Sequence, residues 1–532
     1  MSSQNKSLTT GADTFSGGSG NDVFNAVLSS TAANKTIGGL DRLSGGAGND
    51  LINIIDETGN QTLAGTLQMS GIESVSVRSA GIANIDLTGA GITDVTSLST
   101  TQSTDATLVV AATTNVSVTG ATGAITIDGG NNISVIDSTK DSDITIGATT
   151  VVSGNVTVTA TKAGASSVAV DGGVNVTLNV SGTSGGADTI TVGNGGAAAD
   201  KPTGIVAVTS AHTGVAATDV TLDAITVKGG SAITITQTAD SSKAASDTTG
   251  ATLTQGAVTV VAGTATTSVT VVQAASAEEV LAVAAVAGVT ETASVKFGVL
   301  KSGDVLKLDS AGTDLTFTAS KDMTAAEVAQ VFAGLVKGTV PVAGDTQGGA
   351  PVSNGVYTGA ATLWTSATAV GDTVVFTSTT SNSNETNLAF VLTNTSNSSV
   401  APTVTTTSGA SKTDAVTGVL GVANGTVLID DTSSGTITTV TVNGYGDASK
   451  IGDTTTLKNL STLILANSGD SGTAGETDAS MSVDAAGVAT LNLSINAIKG
   501  AVTLDGAADS ALKTLNLTTT GADSSFALTA AR

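Results

Sequence analysis

Two nine-residue blocks near the N-terminus carry the residue types and the spacing of a calcium loop. Gly17-Gly18-Ser19-Gly20-Asn21-Asp22-Val23-Phe24-Asn25 and Gly45-Gly46-Ala47-Gly48-Asn49-Asp50-Leu51-Ile52-Asn53 both fit the pattern G-G-x-G-x-D-x-U-x, with U a large apolar residue. Each block has a phased half-block nine residues earlier, Asp13 and Phe15 before the first, Asp41 and Leu43 before the second. Every position has a physical task. Glycine lets the backbone take conformations closed to other residues, so that carbonyl oxygens can turn towards a cation. Aspartate adds a hard anionic oxygen, and Ca²⁺ takes roughly six to eight oxygen ligands. The apolar residue two places on points into the core of a short strand. Ordinary Asn-Asp turns would use the same residues, but two complete blocks with phased half-blocks favour calcium. The degenerate copy Gly185-Gly186-Ala187-Asp188-Thr189-Ile190 does not favour it by itself.

The elements that must position these loops read as stacked short strands. Triplets such as Val116-Ser117-Val118, Ile125-Thr126-Ile127, Ile133-Ser134-Val135, Ile144-Thr145-Ile146, Val156-Thr157-Val158, Val168-Ala169-Val170 and Val176-Thr177-Leu178 alternate apolar with small polar residues. Asp128-Gly129-Gly130 and Asp171-Gly172-Gly173 mark matching turns before strands. Near the C-terminus one phrase recurs three times, as Thr462-Leu463-Ile464-Leu465, Thr490-Leu491-Asn492-Leu493 and Thr514-Leu515-Asn516-Leu517. Unequal spacing of similar strands is the mark of a solenoid whose loops vary. A stack of small immunoglobulin-like sandwiches is the competing structure.

Between these stretches the composition changes. Phe297, Phe317, Phe332, Phe376 and Phe390 gather with Trp364 and Tyr357, and two S/T-x-x-E capping boxes occur at Ser276-Ala277-Glu278-Glu279 and Thr324-Ala325-Ala326-Glu327. The aromatics read as a packed core, with a sugar-binding platform on Trp364 and Tyr357 as the minority reading. The expected fold is therefore mainly β, with right-handed parallel β-roll and β-solenoid stretches and a small α+β domain inserted. The expected divisions are a calcium β-roll over 1–61, solenoid over 62–272, the inserted domain over 273–415 and a second solenoid and assembly region over 416–532.

Composition removes several function classes. The chain has 532 residues, 44 acidic against 20 basic, and a net charge of −24. Nucleic acid is an improbable partner, because phosphate binding needs clustered Lys and Arg. Cysteine is absent and His212 is the sole histidine, which removes Cys nucleophiles, Cys-ligated zinc and multi-histidine metal centres. His212 lies in Val208-Thr209-Ser210-Ala211-His212-Thr213-Gly214, with no G-x-S-x-G elbow, and reads as a solvated loop residue. The solenoid stretches offer Tyr445 but few other aromatic or basic residues for a uronate polymer, so the chain does not read as an enzyme. No run of 18 apolar residues exists to span a membrane. Met1-Ser2-Ser3-Gln4-Asn5-Lys6 enters the first block without an apolar segment, so export without a Sec-type signal is expected.

Taken together, the two nonapeptide blocks, the Thr/Ala/Gly/Val-rich strands, the absent cysteine and the acidic balance resemble a bacterial RTX-type (hemolysin-type) calcium-dependent surface-layer protein. The specific part of the likeness covers about 45 residues, from Gly17 to Asn53 with the half-block before them. The resemblance implies a secreted structural protein, exported by type I secretion, that self-assembles on Ca²⁺ into a two-dimensional lattice on a Gram-negative cell. It implies Asp22 and Asp50 as side-chain ligands, the carbonyls of Gly18, Gly20, Gly46 and Gly48 beside them, and Asp13 and Asp41 in adjacent turns. Lipopolysaccharide or another cell-surface glycan is the anchoring partner it suggests. Such substrates usually carry the export signal at the C-terminus, where Ser525 to Arg532 is a weak candidate. Asp-rich turns such as Asp137 to Asp143 could add calcium outside the motif. The alternatives are a calcium-stabilised adhesin or biofilm-matrix protein and a β-solenoid polysaccharide lyase or epimerase.

Overall fold

Alternating Val, Ile and Thr favour a pleated, half-buried backbone, and these strands pair in parallel on both sides of residues 282–416. The computed structural model describes residues 2–137, 142–162, 166–183, 189–213, 219–240, 252–274, 280–309, 314–339, 354–394, 398–419, 421–432, 435–452, 457–468, 478–484, 487–505, 512–520 and 528–530. It divides into two units, residues 1–281 with 417–532, and residues 282–416.

The larger unit is a β-solenoid. Among the described residues one sheet of 16 strands runs from Asn5–Ser7 to Thr514–Thr520, and a second of 13 runs from Ala83–Asp86 to Leu528–Ala530. The long sheet passes residue 61 without a break, from Leu51–Asp56 to Ser74–Ser79. Parallel pairing between sequential coils excludes the stacked sandwiches. Each of the triplets from Val116 to Leu178 lies in a strand, and their apolar residues face inward. The core is built as columns: Ile125, Ile144, Val168, Ile190, Ile225, Val258 and Val427 pair in succession, and all are buried. Short third faces occur twice, as Thr14–Gly18 with Arg42–Gly46 and Gln68–Ser70, and as Val220–Thr221 with Thr252–Thr254 and Gly421–Ala423.

Turn chemistry keeps the strands stacked while the coil length varies. One turn of the coil is 28 residues at Asp22 and Asp50, 17 at Asn115 and Asn132, and 36 at Gln237 and Gln273. Gly129 and Gly172 both take positive φ, and a Cβ at Gly129 would collide with the Val110 carbonyl, so this turn requires glycine. At one corner an asparagine ladder links four coils. Asn132, Asn155 and Asn175 each donate Nδ2–H to the Oδ1 of the asparagine one coil earlier, at 2.9, 3.2 and 2.9 Å, starting from Asn115. The backbone N–H of Ile205 then donates to Asn175 Oδ1. The C-terminal phrases stack too, but Thr462 pairs with Asn492 rather than Thr490, whereas Thr490 pairs with Thr514. A shift of two residues keeps Leu463, Leu465, Leu491 and Leu493 on the inner face, while Leu517 is 43% exposed.

The smaller unit is α+β. Its two antiparallel sheets have four strands each among the described residues, one ordered Trp364–Ser366, Thr373–Ser378, Thr292–Lys296, Thr403–Thr407 and the other Gly355–Thr358, Leu315–Ala319, Val305–Asp309, Ala389–Thr393. Phe297, Phe332, Phe390, Phe317 and Phe376 pack ring against ring, with centroids 5.3 to 6.1 Å apart. The helix Ala325–Val331 starts as its capping box predicts: Thr324 Oγ1 accepts from Glu327 N–H and the Glu327 carboxylate accepts from Thr324 N–H. The box at Ser276 lies outside the described residues. Where this unit begins and ends, Val283, Val286 and Val289 pair antiparallel with Val416, Thr413 and Ala410, one bridge every third residue.

Candidate calcium-binding corners of the first coils

The two nonapeptide blocks stack residue on residue. Phe15 pairs with Leu43 and Gly18 with Gly46, and one strand further on Val23 pairs with Leu51 and Phe24 with Ile52. Phe24 and Ile52 are wholly buried, as their motif position requires. Asp22 and Asp50 therefore occupy the same corner one coil apart, and Asp13 and Asp41 occupy the preceding corner.

Each corner is a column of carboxylates that grip backbone amides of the coil before. At the first, Asp41 Oδ1 accepts the Asp13 N–H at 2.8 Å, and Asp13 accepts from Thr9 N–H and Oγ1–H. At the second, Asp22 Oδ1 accepts the Gln4 N–H at 2.6 Å, Asp50 Oδ1 the Asp22 N–H at 2.6 Å, and Glu73 Oε2 the Asp50 N–H at 2.8 Å. Glu73 belongs to this column although it lies in no motif; its coil is 23 residues long, so fixed spacing hides it. All four aspartates are buried.

Carboxylate and carbonyl oxygens also converge. A Cβ on Gly17 would collide with both Asp22 Oδ2 and the Gly45 carbonyl, and one on Gly45 with both Asp50 Oδ2 and the Gly71 carbonyl. Asp22 Oδ2 takes the Gly18 N–H at 2.6 Å, whereas Asp50 Oδ2 is buried with no hydrogen-bond partner. A buried anionic oxygen beside a carbonyl oxygen is repulsive without a donor or a cation between them. The arrangement fits a hard cation bound by one carboxylate and several carbonyls. Among the described residues no group of three or more His, Cys, Asp or Glu side chains is placed to hold a metal. Of the glycines named by the motif, Gly46 and Gly48 have positive φ, and Gly48 stacks on the Gly20 carbonyl. The Gly18 carbonyl accepts the Ala47 N–H at 2.9 Å. The convergence over Gly17 and Gly45, and the part of Gly71, are visible only once the coils are stacked.

Two expectations are corrected. His212 is not a solvated loop residue; it lies in the strand Ile205–Thr213, is 4% exposed, and its Nε2 stands 2.6 Å from Asp223 Oδ2. Ser210 Oγ donates to the same oxygen, and Gln237 and Gln273 continue the polar column inside the solenoid. The alternation that points Val206 and Val208 inward points Ser210 and His212 inward as well. The sugar platform also fails, because Trp364 is wholly buried and Tyr357 donates its hydroxyl hydrogen bond to the Val331 carbonyl at 2.6 Å within the aromatic core. In the Asp-rich turn, residues 138–141 lie outside the described residues, while Ser142 Oγ donates to Asp137 and Ser167 N–H to Asp143. The degenerate block at 185–188 and most of the C-terminal candidate signal also lie outside them.

No helix among the described residues is long and apolar enough to cross a membrane. No protein-family model matches the chain, and no curated protein matches it significantly.

Proposed function

We propose that this chain is a calcium-dependent structural protein of a bacterial surface layer, which assembles into a two-dimensional array outside a Gram-negative cell. The observation that supports this most is the stacked pair of nonapeptide blocks, where Asp50 Oδ2 has no partner and faces the Gly71 carbonyl across Gly45. Bound Ca²⁺ supplies the positive charge these oxygens require. Asp22 and Asp50 hold it with neighbouring carbonyls, and Asp13 and Asp41 align the preceding corner.

Without the ion, like charges stacked at the coil spacing repel, and the first coils are weakened. With it, binding free energy becomes folding free energy, because the site does not exist in the open chain. Extracellular calcium modules bind at about 10⁻⁴ to 10⁻³ M, which suits a switch thrown by export from a calcium-poor cytosol. The ordered solenoid then offers its surface to further copies, with a cell-surface glycan as the anchor. An adhesin that uses Trp364 is less supported because that side chain is interior, and so is a solenoid enzyme that uses His212.

The test is electron microscopy of the purified chain in millimolar CaCl₂ and in EGTA. Ordered sheets in calcium alone are expected. Dispersed particles in both would overturn the surface-layer reading.

A further inference from the structure

Asp50 has a counterpart in the smaller unit. Glu291 is wholly buried, its Oε2 accepts the Glu385 N–H at 2.6 Å, and its Oε1 has no hydrogen-bond partner. This is the arrangement at Asp50, a buried carboxylate with one oxygen on a backbone amide and the other unmet. Asp223 also has an unmet oxygen, Oδ1, but its Oδ2 meets His212 at 2.6 Å; no described basic side chain pairs with Glu291.

What covers Glu291 is rich in oxygen. The loop Ser381-Asn382-Ser383-Asn384-Glu385-Thr386-Asn387 places seven oxygen-bearing side chains in succession. The Asn382 N–H donates to Thr290 Oγ1 beside Glu291, and Ser378 N–H donates to the Glu291 carbonyl. A Cβ on Gly409 would collide with the Ser383 carbonyl, so that carbonyl is pressed close to the segment pairing with residues next to Glu291.

We propose that Glu291 and the loop 381–387 form a second cation site, built without the nonapeptide motif, that binds Ca²⁺. Glu291 Oε1 is the buried anionic ligand, Glu385 is the second carboxylate, and loop carbonyl and amide oxygens complete the shell. A loop of mostly neutral oxygens adapts to the variable coordination of Ca²⁺ better than to the strict octahedron of Mg²⁺. The cation neutralises the buried charge and ties the loop to the strand Thr292–Lys296 that Glu291 precedes.

The chain carries its own reporter. Trp364, the sole tryptophan, pairs with Ser378, whose N–H bonds the Glu291 carbonyl. Two strand spacings, about 10 Å, therefore separate Trp364 from Glu291. Tb³⁺, a luminescent stand-in for Ca²⁺, is titrated into the full-length chain and excited at the red edge, where tryptophan absorbs and tyrosine does not. Saturable emission displaced by Ca²⁺ is expected, reduced at least tenfold in Glu291→Gln and several-fold in Glu385→Gln, and unchanged in Asp22→Ala/Asp50→Ala. Glu385→Gln changes only a partly exposed loop residue, and unaltered Trp364 fluorescence without metal certifies both variants as folded. Absence of sensitised emission, its persistence in folded Glu291→Gln, or its loss in Asp22→Ala/Asp50→Ala would each overturn the site. Array formation in CaCl₂ is read separately, so the surface-layer reading stands or falls independently.

Discussion

The first coils and the coils from Asn115 to Asn175 solve one stacking problem with opposite chemistry. Both use the same long parallel sheet, and both fasten each corner to the coil before. In the later coils asparagine does this: Asn132 and Asn155 each donate to the neighbour before and accept from the neighbour after, so the column carries no charge. In the first coils Asp and Glu do it. A carboxylate only accepts, so charge accumulates along the column, and Asp50 is left with an oxygen no donor reaches. The amide ladder is made by the protein alone, whereas the carboxylate column leaves Asp50 Oδ2 unmet, which on the proposed reading a cation from solution satisfies. Calcium dependence should therefore be confined to part of an otherwise uniform solenoid.

The largest expected effect comes from making the two regions alike. Asp22→Asn/Asp50→Asn/Glu73→Gln turns the charged column neutral; amide hydrogen exchange over residues 23–56 should then be the same in CaCl₂ and EGTA. In the unaltered chain EGTA should expose that segment while residues 115–180 stay protected. If both segments lose protection together, the contrast between the corners is wrong.

Core truncation should not distinguish the regions. Phe24→Ala and Ile127→Ala each remove a wholly buried side chain, and each should cost about 2–5 kcal/mol in calcium-saturated denaturant unfolding. A smaller effect is expected for Asn132→Ala, which breaks the ladder on both sides. The cost should be about 1–3 kcal/mol and the same with or without calcium. A calcium-sensitive Asn132→Ala would show that the two corners are coupled.

The smallest effect lies outside the solenoid. Thr324→Ala removes the cap of the single described α-helix and should cost about 1 kcal/mol, read by Trp364 fluorescence. The Thr324 N–H, then Lys321 and the Thr324 hydroxyl, hold the Glu327 carboxyl down to about 2 from 4.5. A depressed carboxyl contributes stability that is present above its unfolded value and lost as pH falls. The cap should therefore weaken between pH 4.5 and about 2, modestly because Glu327 is solvent-screened, and Glu327→Gln, which cannot ionise, should flatten that response.

Local rules were legible where the physics is local. Val116-Ser117-Val118 shows its strand by alternation, Asp128-Gly129-Gly130 its turn by glycine, and Thr324-Ala325-Ala326-Glu327 its helix start by reciprocal capping. Features made by stacking were not. Asn115, Asn132, Asn155 and Asn175 are separated by 17, 23 and 20 residues, so no period reveals their ladder until register aligns them. Fixed spacing hides Glu73, because its coil is 23 residues long against 28 for the one before. The inward place of His212 is hidden because its partner Asp223 is 11 residues away and no local motif links them. Glu291 belongs to no pattern, and its isolation becomes visible only when its neighbours are placed.

On either side of the smaller unit the solenoid keeps its count. Ser268–Gln273 pairs with Thr439–Tyr445, Thr252–Thr254 with Gly421–Ala423, and Val258–Val261 with Val427–Asp430, so all three faces resume across the intervening segment. None of these pairings uses a residue of the intervening segment. The junction thus has the form of a cassette: a foreign domain exchanged for the segment should leave every one of these rungs in register.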